Sequence, residues 1–285
     1  MDWHASEAEV RSEKDAQRYL GHVCWADHQR FCTRCGSRKP YQLSSGRHRC
    51  RRCGYTFSEF SRRWLSQSRL TCSEWLTLVR LFEAEESVDS IAAELGRAHA
   101  TVFHAVTILR AAILAHNEAC AALLYSDPSM LLRLCAHHAG RKALRVSGHV
   151  PVFGIRDQNG SASVPVLPDL TPEFVLGLLV KKVRRGRIVY TGQVSIYDTL
   201  IFSDPDLGRK DRDVKFSRTP PFIDGTNGFW AFAAPRLADH HGVSPEHFPL
   251  YIKELEFRYN HREEPQFPLL VGYLCDFLPR AAGTF

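Results

Sequence analysis

Four cysteines constrain this chain more than any other feature of its 285 residues. Cys32-Thr-Arg-Cys35 and Cys50-Arg-Arg-Cys53 are two Cys-x-x-Cys pairs with fourteen residues between them, and a glycine (Gly36, Gly54) follows each pair. Such a turn is tight enough to aim both thiolates at one point, and two turns complete a closed tetrahedron. The glycines supply the positive φ that lets backbone N–H groups reach the sulfurs. This is the spacing of a zinc ribbon, and four thiolates leave the ion no open coordination position. A structural Zn²⁺ held by Cys32, Cys35, Cys50 and Cys53 is therefore predicted. Within the ribbon, Phe31 to Phe57, a unit this small needs its aromatics inside, so Tyr41, Tyr55 and Phe57 are expected to form its core. Base stacking is the other use open to them.

Charge says what the ribbon is for. From Arg30 to Arg69 there are eleven Lys or Arg and one acid, Glu59, a local charge of +10, whereas the whole chain carries only +6. A metal-stapled knob this basic reads as a nucleic-acid clamp. Arg47, Arg49, Arg51 and Arg52 are the candidates for phosphate contacts. The other five cysteines (Cys24, Cys72, Cys120, Cys135, Cys275) are scattered, which suits a reducing cytoplasm. No window approaches eighteen uninterrupted apolar residues, so no membrane span is expected, and the polar, acidic start is not a signal peptide.

In order, the chain reads as a helical lead-in (1–29), the ribbon (30–69), a helix-turn-helix (70–126) and a last domain (127–285). Cys72 to Glu85 carries Trp75, Leu78, Val79 and Phe82 at helical spacing. Ser87 opens a second helix, which Gly96 ends where a turn needs a left-handed residue. Ala98 to His116 is a third. Helix, glycine turn, helix is the arrangement that lays its second helix in the major groove, here presenting Arg97, His99, Thr101 and His104.

After Pro128 the pattern changes to strands: Leu131–Ala136, Val150–Arg156 and Ser163–Leu167, with a hairpin turn at Asp157–Gly160. Thr171 caps a helix expected to run to about Arg184. Arg187–Thr191 reads as a strand, Ile196–Ile201 as helical, and Val214–Phe216 as a short strand.

Three segments near the end form a connected signature: Phe222-Ile-Asp-Gly-Thr-Asn-Gly-Phe-Trp230, His241 to Tyr251, and Glu254-Leu-Glu-Phe-Arg-Tyr-Asn-His-Arg262. With the runs at 150–155 and 188–191 they resemble the ISXO-like insertion-sequence transposases of bacteria. The resemblance covers about Trp25 to Leu278. It implies a multidomain α+β protein: an N-terminal zinc ribbon, a helix-turn-helix, then an RNase H-like α/β domain with a mixed sheet. That family's chemistry uses carboxylates, because two Mg²⁺ ions about 4 Å apart need oxygen ligands to activate the attacking group and stabilise the leaving oxygen. Here the sequence departs from the pattern. No Asp or Glu lies between Pro128 and Arg156, nor from Phe174 to Tyr197. The positions matching the family's acidic set, and the lysine one turn further on, are Cys135, Gly192, Asp224, Asn227 and Ala234.

The expectation is thus a catalytically degenerate transposase relative, a non-enzyme for which Mg²⁺ is not expected. It would bind double-stranded DNA as a sequence-specific regulator or an architectural subunit in the bacterial cytoplasm, on the nucleoid. Family behaviour adds a homo-oligomer, possibly a dimer. Two alternatives stay open. One is an active transposase with a relocated acidic set drawn from Asp198, Asp204, Asp206, Asp213 and Asp224. The other is a protein–protein interaction module docking through the aromatic block Phe229 to Phe257, although core packing is the ordinary use of Phe229, Trp230, Phe232, Phe248, Tyr251 and Phe257.

Overall fold

A computed structural model describes residues 12–25, 29–117, 152–158, 160–167, 169–170, 182–185, 188–191, 197–203, 228–239 and 247–279. In chain order the helices are α1 (Glu13–Cys24), α2 (Cys72–Glu83), α3 (Val88–Leu95), α4 (His99–His116), α5 (Phe229–Asp239), α6 (Phe248–Asn260) and α7 (Phe267–Cys275). The strands are β1 (Pro40–Gln42), β2 (His48–Cys50), β3 (Thr56–Phe57), β4 (Val152–Gln158), β5 (Ser161–Ser163), β6 (Val166–Leu167), β7 (Lys182–Arg185), β8 (Ile188–Thr191) and β9 (Thr199–Ser203). The architecture is multidomain α+β. The chain divides into two compact units: Met1–His116 with Ala121–His137 and Pro265–Phe285, and Asn117–Cys120 with His138–Glu264. The C-terminal segment, grouped with the last domain in the sequence reading, thus belongs to the first unit.

In the first unit, α1 starts where the Ser12 side chain accepts from the Asp15 N–H, and it buries Ala16, Leu20 and Cys24. Its first residue also fixes the next helix. The Glu13 carboxylate accepts from the N–H groups of Cys72 (3.0 Å) and Ser73 (2.9 Å), two donors that a helix start leaves without intrahelical partners. Burial alone would raise the Glu13 pKa, but these N–H groups and the Ser73 hydroxyl take it from 4.5 down to about 2. Thr71 and Glu74 add a capping box to the same end of α2. Gly96 ends α3 at φ 59°, and α4 follows, buried almost all round from Val102 to Leu114. The Glu83 carboxylate in turn accepts from the N–H groups of Gln266 (2.6 Å) and Phe267 (2.9 Å), which docks α7.

Arg63 joins the pieces. Only 3% exposed, it lies over the rings of Trp25 (4.7 Å) and Phe277 (4.1 Å) and donates to the carbonyls of Glu59, Cys24 and Cys275. Three carbonyls and two π faces satisfy a charge that would be costly to bury unpaired.

In the second unit the sheet order is β5-β4-β9-β8-β7, with β6 also on β4, and every pairing among the described residues is antiparallel. Alternation along the strands makes two apolar faces. Phe153, Ile155, Ile188 and Ile201 pack with α5 and α6, while Val152, Val189, Leu200 and Phe202 cluster on the other face. The hairpin at 157–160 forms as expected, with Gln158 opposite Ser161 and Gly160 at φ 77°.

Two expectations fail. Ile196–Ile201 is not helical, because Thr199–Ser203 is β9, buried throughout. A strand apolar on both faces has the same continuous run as a buried helix segment, so periodicity does not separate them. The helix expected to reach Arg184 cannot include Lys182–Arg185, which pairs with β8 in a tight hairpin (Arg185 opposite Ile188). The strands expected at Leu131–Ala136 and Val214–Phe216 lie outside the described residues.

The aromatic block is core. Phe229, Phe248, Tyr251 and Phe257 are buried, and Trp230 and Phe232 pack against the same cluster, so these side chains do not form an exposed docking face.

Candidate metal centre and nucleic-acid interface

The two Cys-x-x-Cys turns meet. The sulfurs of Cys32, Cys35, Cys50 and Cys53 all lie within 4.8 Å of one another, with Cys32 Sγ 3.6 Å from Cys53 Sγ and Cys35 Sγ 3.6 Å from Cys50 Sγ. A tetrahedron with Zn–S near 2.3 Å separates its sulfurs by about 3.8 Å, so the donor set fits zinc closely. All four are free cysteines. Gly36 and Gly54 take φ of 70° and 69°, and each donates back to the carbonyl of the first cysteine of its turn (2.8 and 3.0 Å). Backbone N–H groups of Cys53 and Arg52 bring Cys50 down to about 6, while burial pushes Cys32 up to about 11. The cluster is chemically suited to hold zinc.

Around the cysteines the ribbon is small. Phe57 is buried and Tyr55 partly so, stacked on it at 6.2 Å. Tyr41 is not in the core: it is 40% exposed. The pairing explains why. Tyr41 sits opposite Arg49, on the face of β2 away from buried His48 and Cys50.

Arg47, Arg49, Arg51 and Arg52 are all exposed. Arg47 reaches the Thr56 carbonyl at 3.5 Å, and Arg51 lies 5.7 Å from the Tyr41 ring centre. The basic surface is smaller than the sequence count suggests, because Arg63 is buried and Arg30 makes two bonds to Glu59 (2.9 and 2.6 Å).

The four candidate base readers are placed differently from one another. Arg97 is held by Glu74 through two bonds, Nε to Oε1 at 2.7 Å and a second nitrogen to Oε2 at 3.2 Å. Each raises the other's preference for its charged form: despite some burial, Glu74 is lowered by Arg97, and Arg97 is raised by Glu74. His104 is half-buried with Nε2 3.3 Å from the Gln67 carbonyl, and Thr101 is also half-buried. His99 is the most open, stacked on Phe103, with Asp89 3.6 Å from its Nε2.

Ala234 is half-buried on α5 in the second unit; Cys135, Gly192, Asp224 and Asn227 lie outside the described residues. What the sequence did not reveal is a polar lock around Asp157. Its Oδ2 accepts from the Phe229 N–H at the start of α5 and from the Tyr259 hydroxyl at 2.9 Å, and its own N–H donates to Asp198 (2.9 Å). A Cβ at Gly228 would come within 2.7 Å of that Oδ2, so a side chain there would push the carboxylate out of this position. Asn260 pairs with both backbone groups of Ala162 (2.7 and 2.9 Å), and Arg262 donates to the Gly160 carbonyl at 2.8 Å. The Arg-Tyr-Asn-His-Arg run thus clamps α6 to the β4–β5 hairpin. Five consecutive hydrogen-bonding side chains, Arg258 to Arg262, are the available signal.

Comparison with known proteins decides the family. The ISXO2-like transposase domain matches residues 133–260, and the transposase zinc-ribbon domain matches residues 11–56. An uncharacterized transposase-like protein of Haemophilus influenzae is 34% identical over 98 residues, which is 34% of this chain and 80% of that protein. The chain belongs to the ISXO2-like transposases. No solved structure gives a significant match. Among the described residues of this transposase-family protein, no single helix is long and apolar enough to cross a membrane.

Proposed function

We propose that this transposase-family chain binds double-stranded DNA and no longer cuts or joins it. One observation carries the second half: both stretches where the metal-binding carboxylates should stand are free of Asp and Glu, with Cys135 and Gly192 in their places. Hard Mg²⁺ finds no oxygen pair there, and a two-metal mechanism needs one. Asp157 and Asp198, at the described sheet, are engaged otherwise. Asp157 caps α5 and holds Tyr259, and Asp198 accepts from the Asp157 N–H.

Zn²⁺ held by Cys32, Cys35, Cys50 and Cys53 is structural in this reading, fixing the central strand β2, which carries Arg49 and is flanked by Arg47, Arg51 and Arg52. Arg47, Arg49, Arg51 and Arg52 supply salt-dependent phosphate contacts. The first turn of α4 enters the major groove, with His99 and Thr101 nearest the bases. Arg97 positions that turn through Glu74 rather than reading a base, and His104 anchors α4 against Gln67. The protein acts as a regulator or architectural subunit on DNA, as a homodimer by family analogy.

Binding to duplex DNA at graded salt tests the phosphate role. Each lost phosphate contact flattens the plot of log K against log salt by about 0.9. Arg51→Ala with Arg52→Ala should weaken binding to every sequence and lower the slope by nearly twice that. An equal loss at every salt concentration would refute the assignment.

A further inference from the structure

Tyr41 is the one large apolar side chain that the described residues leave in solvent. A lone surface aromatic is ordinary; its surroundings carry the argument. Strand pairing puts Tyr41 directly opposite Arg49, and Arg49 opposite Thr56, so the three form one outward row across the ribbon. The Arg51 guanidinium stands 5.7 Å from the ring centre, at the outer reach of a cation–π contact, and Arg47 is tied to the Thr56 carbonyl at the far end of the row. No Asp or Glu occurs from Phe31 to Ser58, so nothing in the ribbon itself neutralises this face.

A phosphate grip alone would need only the arginines. An exposed ring set among them adds a flat apolar platform, and a base within a duplex offers it nothing, because both its faces are already stacked. An unpaired base does offer a face, and aromatic rings flanked by cations are how single strands are held without sequence preference. We propose that the β1–β2 face of the ribbon takes single-stranded DNA, one unpaired base stacking on Tyr41 while Arg47, Arg49 and Arg51 hold the flanking phosphates. The inference rests on the DNA-binding reading above and adds a strand state to it: the ribbon's arginines grip the phosphates of either form, and Tyr41 engages only an unpaired base.

The test is fluorescence anisotropy with the full-length protein, using a short labelled single strand of mixed sequence and the corresponding duplex. Tyr41→Ala should lower affinity for the single strand roughly tenfold or more, the loss of one stacked base. Duplex affinity should stay unchanged, and Tyr41→Phe should bind the single strand as the parent does. Equal losses on both DNAs, no loss on the single strand, or a Tyr41→Phe variant as weak as Tyr41→Ala would each overturn the inference. A parent that binds duplex but no single strand overturns it and leaves the DNA-binding reading standing. A parent that binds neither overturns both.

Discussion

Asp157→Ala should loosen α5 without unfolding the protein. The carboxylate caps the first N–H of that helix and accepts from the buried Tyr259 hydroxyl. Loss of a capping side chain costs about 1 kcal/mol. A hydrogen bond to a charged acceptor is worth roughly 1.5 to 3 kcal/mol when its loss strands a buried donor. Asp157 is itself half-exposed, so water replaces part of what is removed, and about 2 kcal/mol is expected in total. That corresponds to roughly thirtyfold faster exchange of the amides in the first turn of α5. Tyr259→Phe removes only the hydroxyl and should give about 1 kcal/mol, roughly fivefold. Hydrogen–deuterium exchange on the full chain reads both. Unchanged protection of Phe229–Ala233 in Asp157→Ala would refute the lock, as would a Tyr259→Phe effect as large as that of Asp157→Ala.

Glu13 gives a pH signature. Its folded pKa, about 2, lies below the ordinary 4.5, so its contribution is present above about 4.5 and is lost as pH falls toward 2. Glu13→Gln should therefore destabilise the protein at neutral pH, and the gap between variant and parent should close through that window; thermal unfolding at stepped pH measures it, and a gap independent of pH would count against the cap. Chelation of zinc, or Cys50→Ser, should weaken DNA affinity by the ribbon's share while leaving the second unit folded, because a closed thiolate site contributes folding energy to the ribbon alone. Metal analysis beside circular dichroism checks this, and undiminished affinity without metal would contradict it.

The first unit was largely legible from the sequence because its signals are local. Cysteine spacing gives the ribbon, Thr71, Ser87 and Gly96 mark helix ends, and the stripe of Trp75, Leu78, Val79 and Phe82 marks a buried face. What it hid depends on distant partners. Arg63 counted as surface charge, and only the return of Phe277 and the Cys275 carbonyl shows why it is buried. Arg97 reads as a base-contacting residue by position, and its pairing with Glu74 depends on another helix. Tyr41 looked like core, since hydrophobicity does not say which face of a three-residue strand turns outward. In the second unit β9 reads as helix because it is apolar on both sides, and Asp157 reads as a turn residue because its partners lie forty or more positions away.

DNA binding without strand chemistry has a direct test. Full-length protein should be incubated with supercoiled DNA in Mg²⁺, and separately in Mn²⁺, at concentrations that give full binding. The account predicts bound but covalently intact DNA with either metal. Nicked or joined products that disappear in Asp224→Ala would show a carboxylate site rebuilt from other acids, and the reading of a lost catalytic centre would be wrong.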